Sequence, residues 1–184
     1  MYEVELKLRA DHDEVRHKLK SLDAERVGAV VQEDTYYDAP HRDFAETDEA
    51  LRVRRESPEY GESTAYLTYK GPLIEEASKT REEAETAVAD GTALVDVLAG
   101  LGFDPAAAVH KERERYRVDG YTVTLDTVRG LGEFVEVETD VDSRGEVEEA
   151  RDRAEGILER LGLDPEAGIR TSYLGMVLAE DAQE

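Results

Sequence analysis

Residues 2–9, YEVELKLR, constrain the fold of this chain more than any other stretch. Side chains alternate faces along a strand, so Glu3, Glu5, Lys7 and Arg9 point one way and Tyr2, Val4, Leu6 and Leu8 the other. One such strand is ordinary, with its charges in water and its apolar residues on a core. Here strand after strand repeats the pattern with Arg, Lys, Glu or Asp, so that one whole face of a sheet is charged.

The rest of the chain places those strands. Asp11 caps a helix through HDEVRHKLKSLDAE that carries Val15, Leu19 and Leu22 at helical spacing; His12 and His17 read there as solvated surface residues. From Arg26 the pattern is extended through VGAVVQEDTYYD and stops at Pro40, and the polar loop HRDFAETDEA follows. ALRVRRE sets Arg52 and Arg54 against Leu51 and Val53, and STAYLTYKG sets Tyr66, Thr68 and Lys70 against Leu67 and Tyr69, with Gly71-Pro72 as its end. SKTREEAETAV groups Arg81, Glu83 and Glu85 before a short helix from Asp90 to Gly102.

Asp119-Gly120 marks a tight hairpin between an arm bearing Lys111, Arg113, Arg115 and Arg117 and one bearing Thr122, Thr124 and Asp126. A turn at Gly130-Leu131-Gly132 leads into a strand with Phe134, Glu136 and Glu138 opposite Val135 and Val137. An amphipathic helix, EVEEARDRAEGILERLG, and a short apolar helix in RTSYLGMVLAE complete the chain. This order predicts one domain over 1–184, an α+β fold with a strongly curved or closed antiparallel sheet and helices outside.

Composition narrows the partners. With 45 acidic residues against 23 basic ones, 17 Arg and 6 Lys, the net charge is -22. Such a field repels nucleic acid and anionic membranes and suits a halophile's cytoplasm. There is no cysteine, so disulfides and thiolate metal sites are excluded, and no apolar run resembles a signal peptide or a membrane span. Four scattered histidines give neither metal spacing nor a Ser-His-Asp order.

Against that acidity, seven basic residues share the charged faces: Lys7, Arg52, Arg54, Lys70, Arg81, Lys111 and Arg113. An open sheet with ion pairs in water does not explain why the scarce bases collect there. If the sheet closes over them, partners must offset their desolvation. A polyphosphate with Mg²⁺ or Mn²⁺ supplies such partners, since Arg and Lys clamp phosphate oxygens and carboxylates give hard oxygen ligands.

The Glu3-x-Glu5-x-Lys7 triplet, with DTYYD at 34–38, LRVR at 51–54, LTYKGP at 67–72, Arg81-x-Glu83-x-Glu85, Lys111-x-Arg113, Asp126 and Glu136-x-Glu138, resembles the CYTH superfamily of triphosphate tunnel metalloenzymes. LTYKGP, the run from Lys111 to Glu138 and the final SYLGMVL look most like its class IV adenylate cyclase branch. The resemblance implies a closed eight-stranded antiparallel β-barrel forming a triphosphate tunnel. It implies Glu3, Glu5, Asp126, Glu136 and Glu138 as metal-binding acids, and Lys7, Arg52, Arg54, Lys70, Arg81, Lys111 and Arg113 as triphosphate-binding bases. Glu83 and Glu85 become supporting acids that orient the bases; Glu3, Glu5 and Lys7 stand nearest the chemistry.

Three activities follow from that set. Class IV adenylate cyclase, making cyclic AMP and pyrophosphate from ATP, comes first. Hydrolysis of inorganic triphosphate, thiamine triphosphate or a nucleotide is the alternative, and a non-catalytic polyphosphate-binding module is the third. A homodimer is compatible with the sequence.

Overall fold

The computed structural model describes residues 1–74 and 80–182. Its strands are β1 (Tyr2–Arg9), β2 (Glu25–Asp38), β3 (Ala50–Pro58), β4 (Thr64–Leu73), β5 (Arg81–Val88), β6 (Asp104–Val118), β7 (Tyr121–Val128) and β8 (Gly132–Val141). Its helices are α1 (His12–Ser21), α2 (Gly91–Gly100), α3 (Val147–Arg160) and α4 (Tyr173–Asp181). The strands form one closed antiparallel barrel in the order β1-β5-β4-β3-β2-β6-β7-β8, with β8 pairing back to β1. Closure removes both sheet edges and gives the charged face an interior to line.

Neighbouring residues on β1 show what closure does. Leu8 is 2% exposed on the outer face and Lys7 is 1% exposed on the inner one. At this point of β1 the charged face is as dry as the apolar face, which rules out an open sheet with its charges in water.

The outer core gathers Leu6, Leu8, Val123, Leu125, Val135 and Val137 from β1, β7 and β8 with Val15 and Leu19 of α1 and Ala154, Ile157 and Leu158 of α3. On the other side, α2 packs Leu94 and Leu98 against Tyr37, Val53 and Leu67. A separate apolar cluster joins inward-facing Val109, Val128 and Phe134 to Tyr173, Leu174, Met176 and Val177 of α4. By that cluster α4 closes one end of the barrel.

Local signals account for the element ends. The Asp11 carboxylate accepts from the amides of Asp13 (2.9 Å) and Glu14 (3.1 Å), and Asp90 caps α2 in the same way. Asp119 and Gly120 adopt φ of 50° and 85°, the left-handed pair that a two-residue hairpin with matched twist requires.

Several expectations are corrected. His12 is buried, with ring Nε2 2.9 Å from the Phe134 carbonyl, because α1 lies on β8. The loop after β2 is not wholly polar in its role, since Phe44 is buried. Gly71-Pro72 does not end β4, which runs to Leu73 past a register irregularity that absorbs the missing proline donor. β6 begins at Asp104, five residues before its alternation becomes visible. Residues 78 and 79, expected to open β5, lie outside the described residues.

Candidate functional site

Strand register sets which side chains meet inside the barrel. On β1 and β8, Glu5 stands opposite Glu138 and Lys7 opposite Glu136; on β6 and β7, Arg113 stands opposite Asp126; on β2 and β3, Asp34 stands opposite Arg54. Glu5, Lys7, Gln32, Asp34, Arg52, Arg54, Thr68, Lys111, Arg113, Thr124, Asp126 and Glu136 are all buried. Ordinary cores do not bury charges in such numbers unless they are paired or serve a ligand.

Pairing accounts for part of this. Arg113 grips Asp126 with two hydrogen bonds, 2.7 Å from Nε and 2.5 Å from Nη2, while also holding Glu136 and standing 3.7 Å from Glu138. Arg54 makes the same fork on Asp34, at 2.6 and 2.7 Å, and Arg52 approaches that carboxylate at 3.6 Å. Arg52 also reaches Thr68 and Glu85. Lys70 bridges Glu3 at 2.6 Å and Glu83 at 2.5 Å. Arg115 and Gln32 meet on Glu56.

Lys7 and Lys111 are held differently. The Lys7 ammonium donates to the Thr171 carbonyl at 2.5 Å and sits 4.3 Å from the centre of the Tyr173 ring. Lys111 lies 5.0 Å from the same ring and 3.8 Å from Asp126.

Electrostatics divide the interior into two regions. Burial alone would raise the Asp34 carboxyl, but Arg52 and Arg54 outweigh it and hold the group well below the usual carboxylate range. Burial, aided by Arg113, lowers the Lys111 ammonium to about 8. Burial, reinforced by Glu3 and opposed by Lys70, pushes Glu83 up to about 7. Burial raises Glu138 to about 7 as well, with Arg113 opposing and Glu3, Glu136 and Glu5 adding to it. On the side formed by β1, β5 and β8, burial together with neighbouring acids thus favours the protonated form of these two carboxyls.

A cavity of about 250 Å³ opens between these regions, lined by Arg52, Arg54, Arg113 and Arg115 on one side and by Glu3, Glu83, Glu85, Glu138 and Asp140 on the other. Buried side-chain atoms lacking a hydrogen bond include Gln32 Oε1, Arg52 Nε and Thr124 Oγ1, all on the barrel's inner face. Buried polar groups are normally satisfied, so these mark where a polar guest belongs.

The expected site residues are thus brought together. Glu5, Lys7, Arg52, Arg54, Lys111, Arg113, Asp126 and Glu136 lie in the interior, and Glu3, Lys70, Glu83 and Glu138 stand together along the β1, β5 and β8 side. Glu85 is the more exposed partner of Arg52. Arg81 reaches the rim, donating to the carbonyls of Asp48 (3.2 Å) and Gly71 (3.0 Å).

Two residues join the site without a role that the sequence assigns. Asp34 stands two residues from Gln32 on an alternating strand and so faces inward, but only the fold brings it to Arg52 and Arg54. Tyr173 carries no strand parity, because it opens a helix, and only packing brings it inside.

Among the described residues no three His, Asp or Glu side chains stand ready around one point for a metal. The donor set nevertheless suits a hard divalent cation. Glu5 stands directly opposite Glu138 and Glu136 lies on the same face of β8, so hard carboxylate oxygens of the kind such a cation takes are gathered on neighbouring strands.

Comparison with known proteins follows the same lines. A Methanocaldococcus jannaschii protein provisionally named an adenylate cyclase is 37% identical over 175 residues, spanning 95% of this chain and 97% of its own. The solved structure of the PH1819 protein from Pyrococcus horikoshii superposes with a TM-score of 0.90 at 43% identity, covering 97% of this chain and 99% of that one. A Hippeastrum protein, provisionally called an adenylyl cyclase and described as having a dominant triphosphatase activity, shares the fold at a TM-score of 0.68 and 18% identity, over 98% of this chain and 95% of its own. Residues 1–173 match the model of the CYTH domain, and the chain belongs to that family.

Proposed function

We propose that this protein processes a triphosphate with the help of a divalent cation, Mg²⁺ or Mn²⁺, and that its reaction is the cyclisation of ATP to cyclic AMP and pyrophosphate. The observation that carries the reading is the single closed interior in which Lys7, Arg52, Arg54, Lys111 and Arg113 face Glu5, Asp126 and Glu136 away from water. The cyclase assignment draws on the 37% identical relative and its name.

Glu3, Glu5, Asp126, Glu136 and Glu138 are the residues that would hold the cation. When bound it supplies positive charge against the phosphates and acidifies the attacking hydroxyl.

The chain's own part is binding and orientation. Arg54, locked by Asp34, and Arg52 beside it present guanidinium edges to the cavity and clamp phosphate oxygens. Lys7, Lys111 and Arg113 take the remaining phosphate charge, and Lys70 keeps Glu3 and Glu83 in place. In the cyclase the ribose 3′-oxygen attacks the α-phosphorus and the bond to pyrophosphate breaks. The arginines and lysines stabilise the charge that develops on the leaving group, where fixed donors in a dry site act most strongly.

A second reading is hydrolysis of a triphosphate at its terminal phosphorus. It is favoured by the cavity lining, which apart from Met1 is charged and offers no apolar slot for a base.

Incubation with ATP and separately with inorganic triphosphate, in high salt with Mg²⁺ or Mn²⁺, separates these outcomes when the products are resolved by chromatography. Cyclic AMP with pyrophosphate supports the cyclase. Orthophosphate without cyclic AMP makes the protein a triphosphatase, and binding without turnover makes it a polyphosphate-binding module.

A further inference from the structure

The stretch leading into α4 grips one lysine at three points. The Ile169 amide donates to the Lys7 carbonyl at 2.6 Å, the Lys7 ammonium donates to the Thr171 carbonyl at 2.5 Å, and the Tyr173 ring stands 4.3 Å from that ammonium. The same ring lies 5.0 Å from the Lys111 ammonium, which arrives from β6. Its hydroxyl donates to Asp126 Oδ2 at 3.0 Å, the carboxylate already forked by Arg113. Phe134 packs edge-on at 5.1 Å and fixes the ring plane.

Each contact has a physical consequence. A lysine ends in a point charge on a flexible four-carbon stem, so a donor role in a precise site requires something to hold it. The face of an aromatic ring attracts ammonium groups, most strongly where water is excluded, and Tyr173 is 7% exposed. Two like charges near one ring repel each other, and the ring's negative face with Asp126 at its edge offsets that repulsion.

We propose that Tyr173 is a positioning residue for the triphosphate site. Its ring holds the Lys7 and Lys111 ammonium groups together at the end of the barrel that α4 closes, and its hydroxyl keeps Asp126 turned to Arg113. Two lysines and one arginine thereby converge on a single phosphoryl group. Tyr173 acts through these neighbours and touches no substrate. The inference rests on the triphosphate reading above.

The test separates ring electrostatics from ring shape. Tyr173→Phe keeps the ring; Tyr173→pentafluorophenylalanine keeps its outline and inverts its quadrupole. Inorganic triphosphate is titrated calorimetrically into the wild type and both variants without divalent cation, beside thermal unfolding of each and KM and kcat with the cation present. Tyr173→Phe is expected to bind within about threefold of the wild type, and the fluorinated variant about tenfold more weakly, with a lower thermal midpoint but wild-type circular dichroism at the temperature of the titration. KM should rise in step while kcat changes less. Equal binding by Phe and its fluorinated analogue, or weakening accompanied by loss of the folded circular dichroism at the temperature of the titration, overturns the role of Tyr173. Failure of the wild type to bind triphosphate overturns the site reading itself, and this inference with it.

Discussion

Asp34 and Arg54 face each other across β2 and β3 and share two parallel hydrogen bonds, 2.6 and 2.7 Å long, with both side chains removed from solvent. Arg52 stands 3.6 Å from the same carboxylate, so one acid compensates two guanidinium groups. Asp34→Asn takes from Arg54 its forked carboxylate and leaves Arg52 with Glu85, and is expected to lower the unfolding free energy by about 3–5 kcal/mol, the usual cost of breaking a buried pair from one side. Inorganic triphosphate should restore more stability in this variant than in the wild type, since phosphate oxygens replace the lost carboxylate. Urea denaturation with and without triphosphate measures both effects, and an unchanged midpoint would contradict the arrangement.

Glu136 is buried against Arg113 and stands opposite Lys7. Glu136→Gln keeps the side chain's shape and removes its charge. Metal-dependent turnover should fall at least a hundredfold, in line with the loss of a charge that acts on reacting groups. The far-ultraviolet circular dichroism should stay that of the wild type. Retained activity would remove Glu136 from the site.

The acids on the β1, β5 and β8 side predict a pH dependence. Glu83 and Glu138 keep their protons to about pH 7 in the cation-free protein, against an ordinary glutamate value near 4.3. Between about pH 4.3 and 7 the folded chain therefore binds more protons than the unfolded chain, and these groups make stability fall as pH rises through that window. Above about pH 7 their contribution is flat. Glu138→Gln removes one of them, so its thermal midpoint should vary less between pH 5 and 7 than that of the wild type. Under the proposed function Mg²⁺ at Glu138 would compete with its proton, so the stabilising effect of the ion should grow from pH 5 to 7.5. Parallel curves for the two proteins would show that Glu138 does not titrate there.

The net charge of -22 predicts a response to salt. Screening shortens from about 10 Å at 0.1 M to about 3 Å at 1 M, which relieves repulsion among surface carboxylates more than it weakens buried pairs such as Arg113 with Asp126. The thermal midpoint should rise between 0.1 and 2 M KCl. A fall over that range would mean that exposed pairs, such as Arg26 with Glu59, dominate stability.

The amino-acid sequence by itself determined the strands, the caps and the identity of the inward face. A two-residue period, an Asp before a helix and an Asp-Gly between two arms are local features, set by sterics and hydrogen bonds within a few residues. That is why Glu5, Lys7, Arg52, Arg113 and Glu136 could be read as sharing one face before their partners were known. Only the tertiary structure decided that β1 closes on both β5 and β8, that Asp34 serves two arginines, that Arg81 turns to the rim, that His12 is covered by β8, and that Tyr173 enters the barrel. Those outcomes join residues far apart in the chain, 164 positions in the case of Lys7 and Thr171. No local propensity specifies such a meeting: it follows from closing the sheet, which removes water from the charged face and leaves each buried charge to find its partner across the interior.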